Sequence, residues 1–130
     1  MNLQLAIRCI GISHLLQPPL TLLLARKLGL RRAFACLPPS ASLVVHNMAV
    51  ASVALPTSAG LIVALGAEDV AHGGALRYLA WLLVLFWTWR LSRQLRLASL
   101  LPTPWHWGLS AIFSVQGPLL GILLVWTAWR

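Results

Sequence analysis

Apolar residues run along this chain in four long stretches, which shorter polar or charged segments separate. The stretches cover residues 3–25, 41–65, 75–98 and 107–129. A helix needs roughly 20 apolar residues to cross a hydrocarbon core of about 30 Å, and each stretch meets or approaches this length. The pattern predicts an all-α fold, an integral membrane four-helix bundle, in which residues 1–130 form a single transmembrane domain.

Prolines interrupt three of these predicted helices. Pro18 and Pro19 lie in the first, Pro56 in the second and Pro118 in the fourth. Each proline removes a backbone donor and frees the carbonyl of the residue four positions earlier, which weakens the helix there. Membrane helices tolerate such prolines where neighbouring helices, hydroxyls or water satisfy the freed carbonyls. We therefore predict kinks at these prolines, with polar partners beside them.

Composition agrees with a membrane protein. Hydrophobic residues make up 59% of the 130 positions and charged residues only 9%, which is far from the usual balance of a soluble domain. Ten basic residues against two acidic ones give a formal net charge of +8. Basic patches interleaved with exposed aromatic residues, which are typical of nucleic-acid sites, are absent from the sequence. We expect membrane lipids and other membrane protein subunits as partners, and no nucleic acid.

The charged residues predict an orientation. The first loop and the end of the third helix are basic, whereas the second loop holds both acidic residues, Glu68 and Asp69. By the positive-inside rule the first and third loops are cytoplasmic and both termini lie outside, which we assign to a bacterial inner membrane. Seven basic side chains are then expected at lipid headgroups: Arg26, Lys27, Arg31, Arg32, Arg90, Arg93 and Arg96.

Polar residues also occur within the spans. Counting about 1.5 Å per residue from each cytoplasmic end places His14, Ser52 and Gln116 roughly 14 to 17 Å deep. Gln17 lies near 12 Å and Asn47 near 9 Å on the same count of about 1.5 Å per residue. This predicts a polar layer close to the bilayer midplane. Its candidate ligand contacts are His14, Gln17, His46, Asn47 and Gln116.

Three interpretations of the layer differ in function. We favour polar glue, in which these side chains satisfy one another and the carbonyls that proline frees. In the second, His14 or His46 ligates a haem or a chlorophyll-type pigment, or bonds a quinone, with His14 as the candidate axial metal ligand. The third is transport, but no span contains the acidic residue that proton-coupled exchangers use. No cofactor is required by the sequence, and no catalytic residue is assigned.

Small residues and tryptophans predict how the helices pack. Gly117 and Gly121 form a GxxxG pattern, which Ser110 and Ser114 extend backwards, and such positions let helices approach closely. A second stripe on the second helix comprises Ala49, Ser52, Pro56 and Ala59. Amphipathic indole rings suit the membrane interfaces, so we assign the seven tryptophans to belts at the span ends: Trp81, Trp87, Trp89, Trp105, Trp107, Trp126 and Trp129.

These observations predict a small multi-pass subunit with a structural or accessory role in a larger membrane protein complex. The four stretches leave no room for a soluble domain, and the spans offer no titratable reaction centre. The alternative is a self-assembling small membrane enzyme or carrier that binds an amphipathic ligand at the layer around His14 and Gln17.

Overall fold

A computed structural model describes residues 2–96 and 103–129 of the chain. These residues are almost entirely helical and contain no strand, which confirms the all-α prediction. The α-helices in the described ranges are α1 (Leu3–Ser13), α2 (Gln17–Lys27), α3 (Leu30–Ala35), α4 (Pro39–Leu65), α5 (Ala67–Ala71), α6 (Leu76–Arg96), α7 (Thr103–Ser114) and α8 (Leu120–Ala128).

Three continuous helical segments in the described residues are long and apolar enough to cross a membrane: Leu3–Lys27, Pro39–Leu65 and His106–Ala128. They fit an integral membrane protein. Helix α6 has 21 residues but falls outside this group, since arginines near its two ends lower its hydropathy. Residues 97 and 98, the predicted end of the third span, lie outside the described ranges.

Local sequence explains where these helices begin and end. Helix α2 ends just before Gly29, whose φ of +64° is a left-handed conformation that glycine adopts without steric cost. Helix α4 begins at Pro39. An N–H in the first turn of a helix has no acceptor within that helix, so proline, which lacks an N–H, is tolerated there. Helix α6 begins at Leu76, whose N–H donates to the Asp69 carboxylate at 2.9 Å.

The helices form a bundle in which α1 packs on the second half of α4, and α6 packs on α4, α7 and α8. Gly11 lies against α4 so closely that a Cβ there would be 2.6 Å from the Gly60 carbonyl oxygen and 2.7 Å from the Ala64 Cβ. Small residues therefore bring these two helices almost into backbone contact. The buried core between the helices includes Val84 and Leu120.

The two ends of the bundle differ in charge. Around α5, which carries Glu68 and Asp69, the structure brings together the start of α1, the start of α6 and the end of α8, and we call this the acidic end. There the Arg77 guanidinium donates to the Leu124 carbonyl at 2.6 Å. The opposite end holds α3 with the junctions of α2 and α4, and we call it the basic end because of its arginines.

The prolines have different consequences for the helices. The first apolar segment tightens into a 3₁₀ turn at His14–Leu16, which Gln17 separates from Pro18. The last segment widens into a π turn at Val115–Leu119, which contains Pro118. Pro56 instead lies within the uninterrupted helix α4. Irregular turns therefore occur at two of the three predicted proline sites.

Candidate functional site: a buried polar layer

The π turn bonds to Ser13 and Gln17, the residues on either side of the 3₁₀ turn, and a cluster of buried polar side chains lies there. His14 and Gln116 are fully buried and Gln17 is 4% exposed. They meet Trp87 of α6 and Thr57 of α4, so the cluster includes residues from every long helical segment. We call this cluster the polar layer, and its members are Ser13, His14, Gln17, Thr57, Trp87 and Gln116.

Both ring nitrogens of His14 have partners. The Trp87 indole N–H donates to His14 Nε2 at 2.8 Å. An indole nitrogen can only donate, so Nε2 must be the unprotonated nitrogen of a neutral imidazole. Nδ1 then carries the proton and donates to the carbonyls of Ile10 at 3.0 Å and Gly11 at 3.2 Å. His14 is therefore fixed as one tautomer, with no lone pair left on its ring for a metal.

The two glutamines continue the network. Gln17 Nε2 donates to Gln116 Oε1 at 2.7 Å, and Gln116 Nε2 donates to the Ser13 hydroxyl at 3.3 Å. Ser13 in turn donates to the Ile10 carbonyl at 2.6 Å. The same carbonyl accepts from His14, so one continuous chain of hydrogen bonds connects Gln17 to the indole of Trp87.

The carbonyl that Pro18 frees has a partner in the neighbouring helix. Pro18 cannot donate to the His14 carbonyl, and the Thr57 hydroxyl of α4 donates to that oxygen at 3.4 Å. The backbone N–H of Gln17 bonds to the same oxygen within the 3₁₀ turn. This is the arrangement by which membrane proteins accommodate proline inside a span.

An aromatic stack supports the Trp87 side of the layer. The Trp87 ring stacks on Phe113 with centroids 5.1 Å apart, and the edge of Phe86 meets it at 4.9 Å. The Arg90 guanidinium lies 5.7 Å from the Phe113 centroid, within range of a cation–π interaction. Trp87 is thus 1% exposed, and its prediction as an interfacial belt residue was wrong.

Two glycines, Gly60 and Gly117, leave space for the rings of His14 and Trp87. A Cβ at Gly60 would lie 2.6 Å from the His14 Cβ and 2.7 Å from its Nδ1. A Cβ at Gly117 would lie 2.9 Å from the Thr88 backbone nitrogen and 3.0 Å from the Trp87 Cβ. Any side chain larger than hydrogen at either position would therefore push against the groups that position His14 and Trp87.

The structure brings together only some of the residues that the sequence predicted for this layer. His46 and Asn47 are exposed on α4, about eleven residues or 16 Å of helical rise before Thr57. Ser52 donates instead to the carbonyl of Ala49 in its own helix. His46 and Asn47 are therefore too far along α4 to reach the layer, and the Ser52 hydroxyl bonds within its own helix.

Sequence reasoning missed Trp87, Thr57 and Ser13. The helical rise could have indicated Trp87. Helix α6 continues to Arg96, and Trp87 lies nine residues, about 14 Å, before that end, a depth similar to that predicted for His14 and Gln116. Thr57 directly follows Pro56, and this position gave no separate signal. Ser13 precedes His14, and its hydroxyl was overlooked among more polar neighbours.

The predicted packing and headgroup residues occupy the following positions. Gly117 and Gly121 face α6, where a Cβ at Gly121 would lie 3.1 Å from the Val84 Cγ1. Ser114 donates to the Ser110 carbonyl, while the buried Ser110 hydroxyl has no partner in the described residues. Arg90 is half-buried beside Phe113. The other predicted headgroup residues are exposed: Arg26, Lys27, Arg31, Arg32, Arg93 and Arg96.

The polar layer is equipped to hold helices together. Hydrogen bonds join its side chains across the helices, and no group of three or more His, Cys, Asp or Glu residues able to hold a metal occurs in the described ranges. Hydrogen bonds of this kind within a low-dielectric interior fix the register of neighbouring helices. In comparisons with known proteins, no protein family, curated protein or solved structure matches this chain.

Proposed function

We propose that this chain is a small multi-pass membrane subunit with a structural or accessory role in a larger membrane protein complex. The observation that carries this proposal is the exposure of α4. In an apolar stretch of 18 residues within α4, only 22% of the residues are buried inside the chain. The corresponding stretch of His106–Ala128 is 50% buried. A helix so poorly covered presents its surface to lipid or to another protein.

The outward face of α4 has the composition of a helix–helix contact. Asn47, Ala51, Ala54 and Ser58 follow one another at spacings of four, three and four residues, which places them on one side of the helix, and all four are exposed. Pro56 and Gly60 point the other way, into the bundle. We call the exposed set the α4 stripe.

The Asn47 amide supports a protein partner rather than lipid on this stripe. Asn47 lies eight residues, about 12 Å, into α4, and its amide has two donors and an acceptor to satisfy. Lipid tails offer no partner, whereas a polar residue on a neighbouring membrane helix does. Ala51, Ala54 and Ser58 would let that helix approach closely enough to form the hydrogen bond.

We further propose that α6 is the fourth crossing of the membrane. Its 21 residues span about 31 Å, and it packs on α4, α7 and α8 along the bundle. Arg93 and Arg96 at its end suit the headgroup region, where long basic side chains reach water. The positive-inside rule then makes the basic end cytoplasmic and places both termini outside a bacterial inner membrane.

The closed polar layer favours a structural role over a small enzyme or carrier. A haem, pigment or quinone at His14 would have to displace the indole N–H of Trp87 from Nε2. Gln17 and Gln116 likewise bond each other. Of the two candidate histidine ligands only His46 is exposed, on the helix that we assign to partner contact.

The double variant Ala51→Leu/Ala54→Leu should bind the proposed partner protein more weakly. The chain is purified in mild detergent from its native membrane, and co-purifying polypeptides are identified and quantified by mass spectrometry. The double variant should recover the partner roughly tenfold less well, because overpacking a close contact costs about 1–3 kcal/mol. Ala111→Leu is the matched control, since Ala111 is also exposed but lies on α7.

Recovery of a homo-oligomer without any other polypeptide would contradict the subunit proposal. Equal loss of the partner in the Ala111→Leu variant would contradict the assignment of the α4 stripe. A visible absorption spectrum of the same preparation tests the rival function, because a bound haem or chlorophyll-type pigment would absorb there.

A further inference from the structure

A groove at the basic end combines charge and apolar surface in a way that the polar layer does not. It has a volume of about 780 Å³ and lies between the end of α2, helix α3 and the first turns of α4. Arg31, Ser42 and His46 supply its polar wall, and Leu30, Phe34 and Leu43 supply apolar surface beside them.

The polar wall is available to a ligand. The side chains of Arg31, Ser42 and His46 make no hydrogen bond or ion pair with any residue in the described ranges 2–96 and 103–129. Both acidic residues of the chain belong to α5, at the other end of the bundle, so they do not neutralise Arg31. A guanidinium with unused donors binds the oxygens of a phosphate in a forked geometry.

The surroundings of the groove favour an anion that also carries a hydrocarbon chain. Arg26 and Arg32 add positive charge nearby and raise the local concentration of anions. Phe34 is half-buried and Leu43 is exposed next to the polar wall, so an apolar chain would cover both. Only a ligand with a charged head joined to an acyl chain uses both walls.

We infer that this groove is a binding site for one anionic phospholipid. The phosphodiester lies against Arg31, with the Ser42 hydroxyl of the first turn of α4 as a further hydrogen-bonding group. One acyl chain lies along Phe34 and Leu43 towards the membrane interior. The site rests on the membrane-spanning assignment of α4, and its test does not require the proposed partner.

Arg31→Gln and Arg32→Gln separate a specific site from general attraction to a basic surface. Both arginines are exposed on α3 and each change removes one positive charge, but only Arg31 lines the groove. Purified full-length protein in detergent is titrated with phosphatidylglycerol, and bound lipid is counted by native mass spectrometry. Arg31→Gln should weaken binding about tenfold, as loss of a hydrogen bond to a charged group predicts, and Arg32→Gln less than about twofold.

A second pair of variants tests the apolar wall. Leu43→Asn changes a groove residue, and Val44→Asn changes its exposed neighbour outside the groove. Only Leu43→Asn should reduce phosphatidylglycerol binding, and inorganic phosphate should not compete. Equal losses in the two arginine variants, equal binding of phosphatidylcholine, or competition by inorganic phosphate would overturn the proposed phospholipid site. Loss of lipid binding with the partner retained would leave the subunit proposal standing.

Discussion

Alanine in place of Gly60 should destabilise the folded bundle by about 1–3 kcal/mol, the usual cost of forcing extra volume into a packed core. The added Cβ would lie 2.6 Å from the His14 Cβ and 2.7 Å from Nδ1. His14 cannot simply turn away, because its ring is hydrogen-bonded on both nitrogens. The free energy of unfolding in mixed detergent micelles, followed by circular dichroism, measures the loss.

Gly108→Ala is the matched control for this change. Gly108 lies in helix α7, and a Cβ there would meet nothing within 4 Å. Since alanine is a better helix former than glycine by about 0.5–1 kcal/mol, this variant should be as stable as the original chain or more stable. A Gly60→Ala protein as stable as Gly108→Ala would contradict the close approach of α4 to His14.

The variants His14→Phe and Trp87→Phe should each lower the free energy of unfolding of the bundle by about 1–3 kcal/mol. Each change leaves one buried partner without its hydrogen bond. His14→Phe orphans the Trp87 N–H, and Trp87→Phe orphans His14 Nε2. The double variant contains neither orphan. Its loss should therefore be smaller than the sum of the single losses by about 0.6 kcal/mol, the mean measured for hydrogen bonds between membrane helices, and by no more than about 1.7 kcal/mol, the largest value measured.

Trp89→Phe provides the control for this double-mutant cycle. Trp89 is 58% exposed on the same helix, and no hydrogen bond joins it to His14 within the described residues. Its loss should add to that of His14→Phe without coupling. Simple additivity between His14→Phe and Trp87→Phe would show that the two rings do not act as a pair.

The sequence was sufficient to predict the helical class and part of the polar layer. Apolar runs of membrane-spanning length predict helices, and a freed carbonyl beside Pro18 predicts a polar partner. His14 and Gln17, three residues apart, share a face where both extend into the bundle, and Gln116 meets them at a matching depth. These predictions rest on distance along a helix, which the sequence supplies directly.

The rotation of each helix and the offset between helices along their axes were the information that the sequence lacked. Asn47 lies ten residues, about 15 Å, before Thr57 along α4, and the Ser52 hydroxyl donates to the Ala49 carbonyl of its own helix. Trp87 is the opposite case. Its sequence position near a predicted span end favours the membrane interface, whereas the structure stacks its ring on Phe113 inside the bundle. Only tertiary contacts decide which face of a helix is buried.

The polar layer and the α4 stripe give the chain two different kinds of helix contact. Within the chain, hydrogen bonds join His14 to Trp87 and Gln17 to Gln116. On the outside, Asn47 lies exposed on a helix with small neighbours. A subunit that assembles with others needs both a fixed internal register and an uncovered face.

The protonation of the two His14 ring nitrogens is the most direct measurement of whether this histidine is structural. Solid-state NMR of ¹⁵N-histidine-labelled protein in phospholipid bilayers reports each nitrogen, and a His14→Gln sample identifies the His14 signals. We predict a protonated Nδ1 and an unprotonated Nε2 whose signal shifts in Trp87→Phe. A proton on Nε2, or an Nε2 signal that Trp87→Phe leaves unchanged, would contradict the structural role of His14.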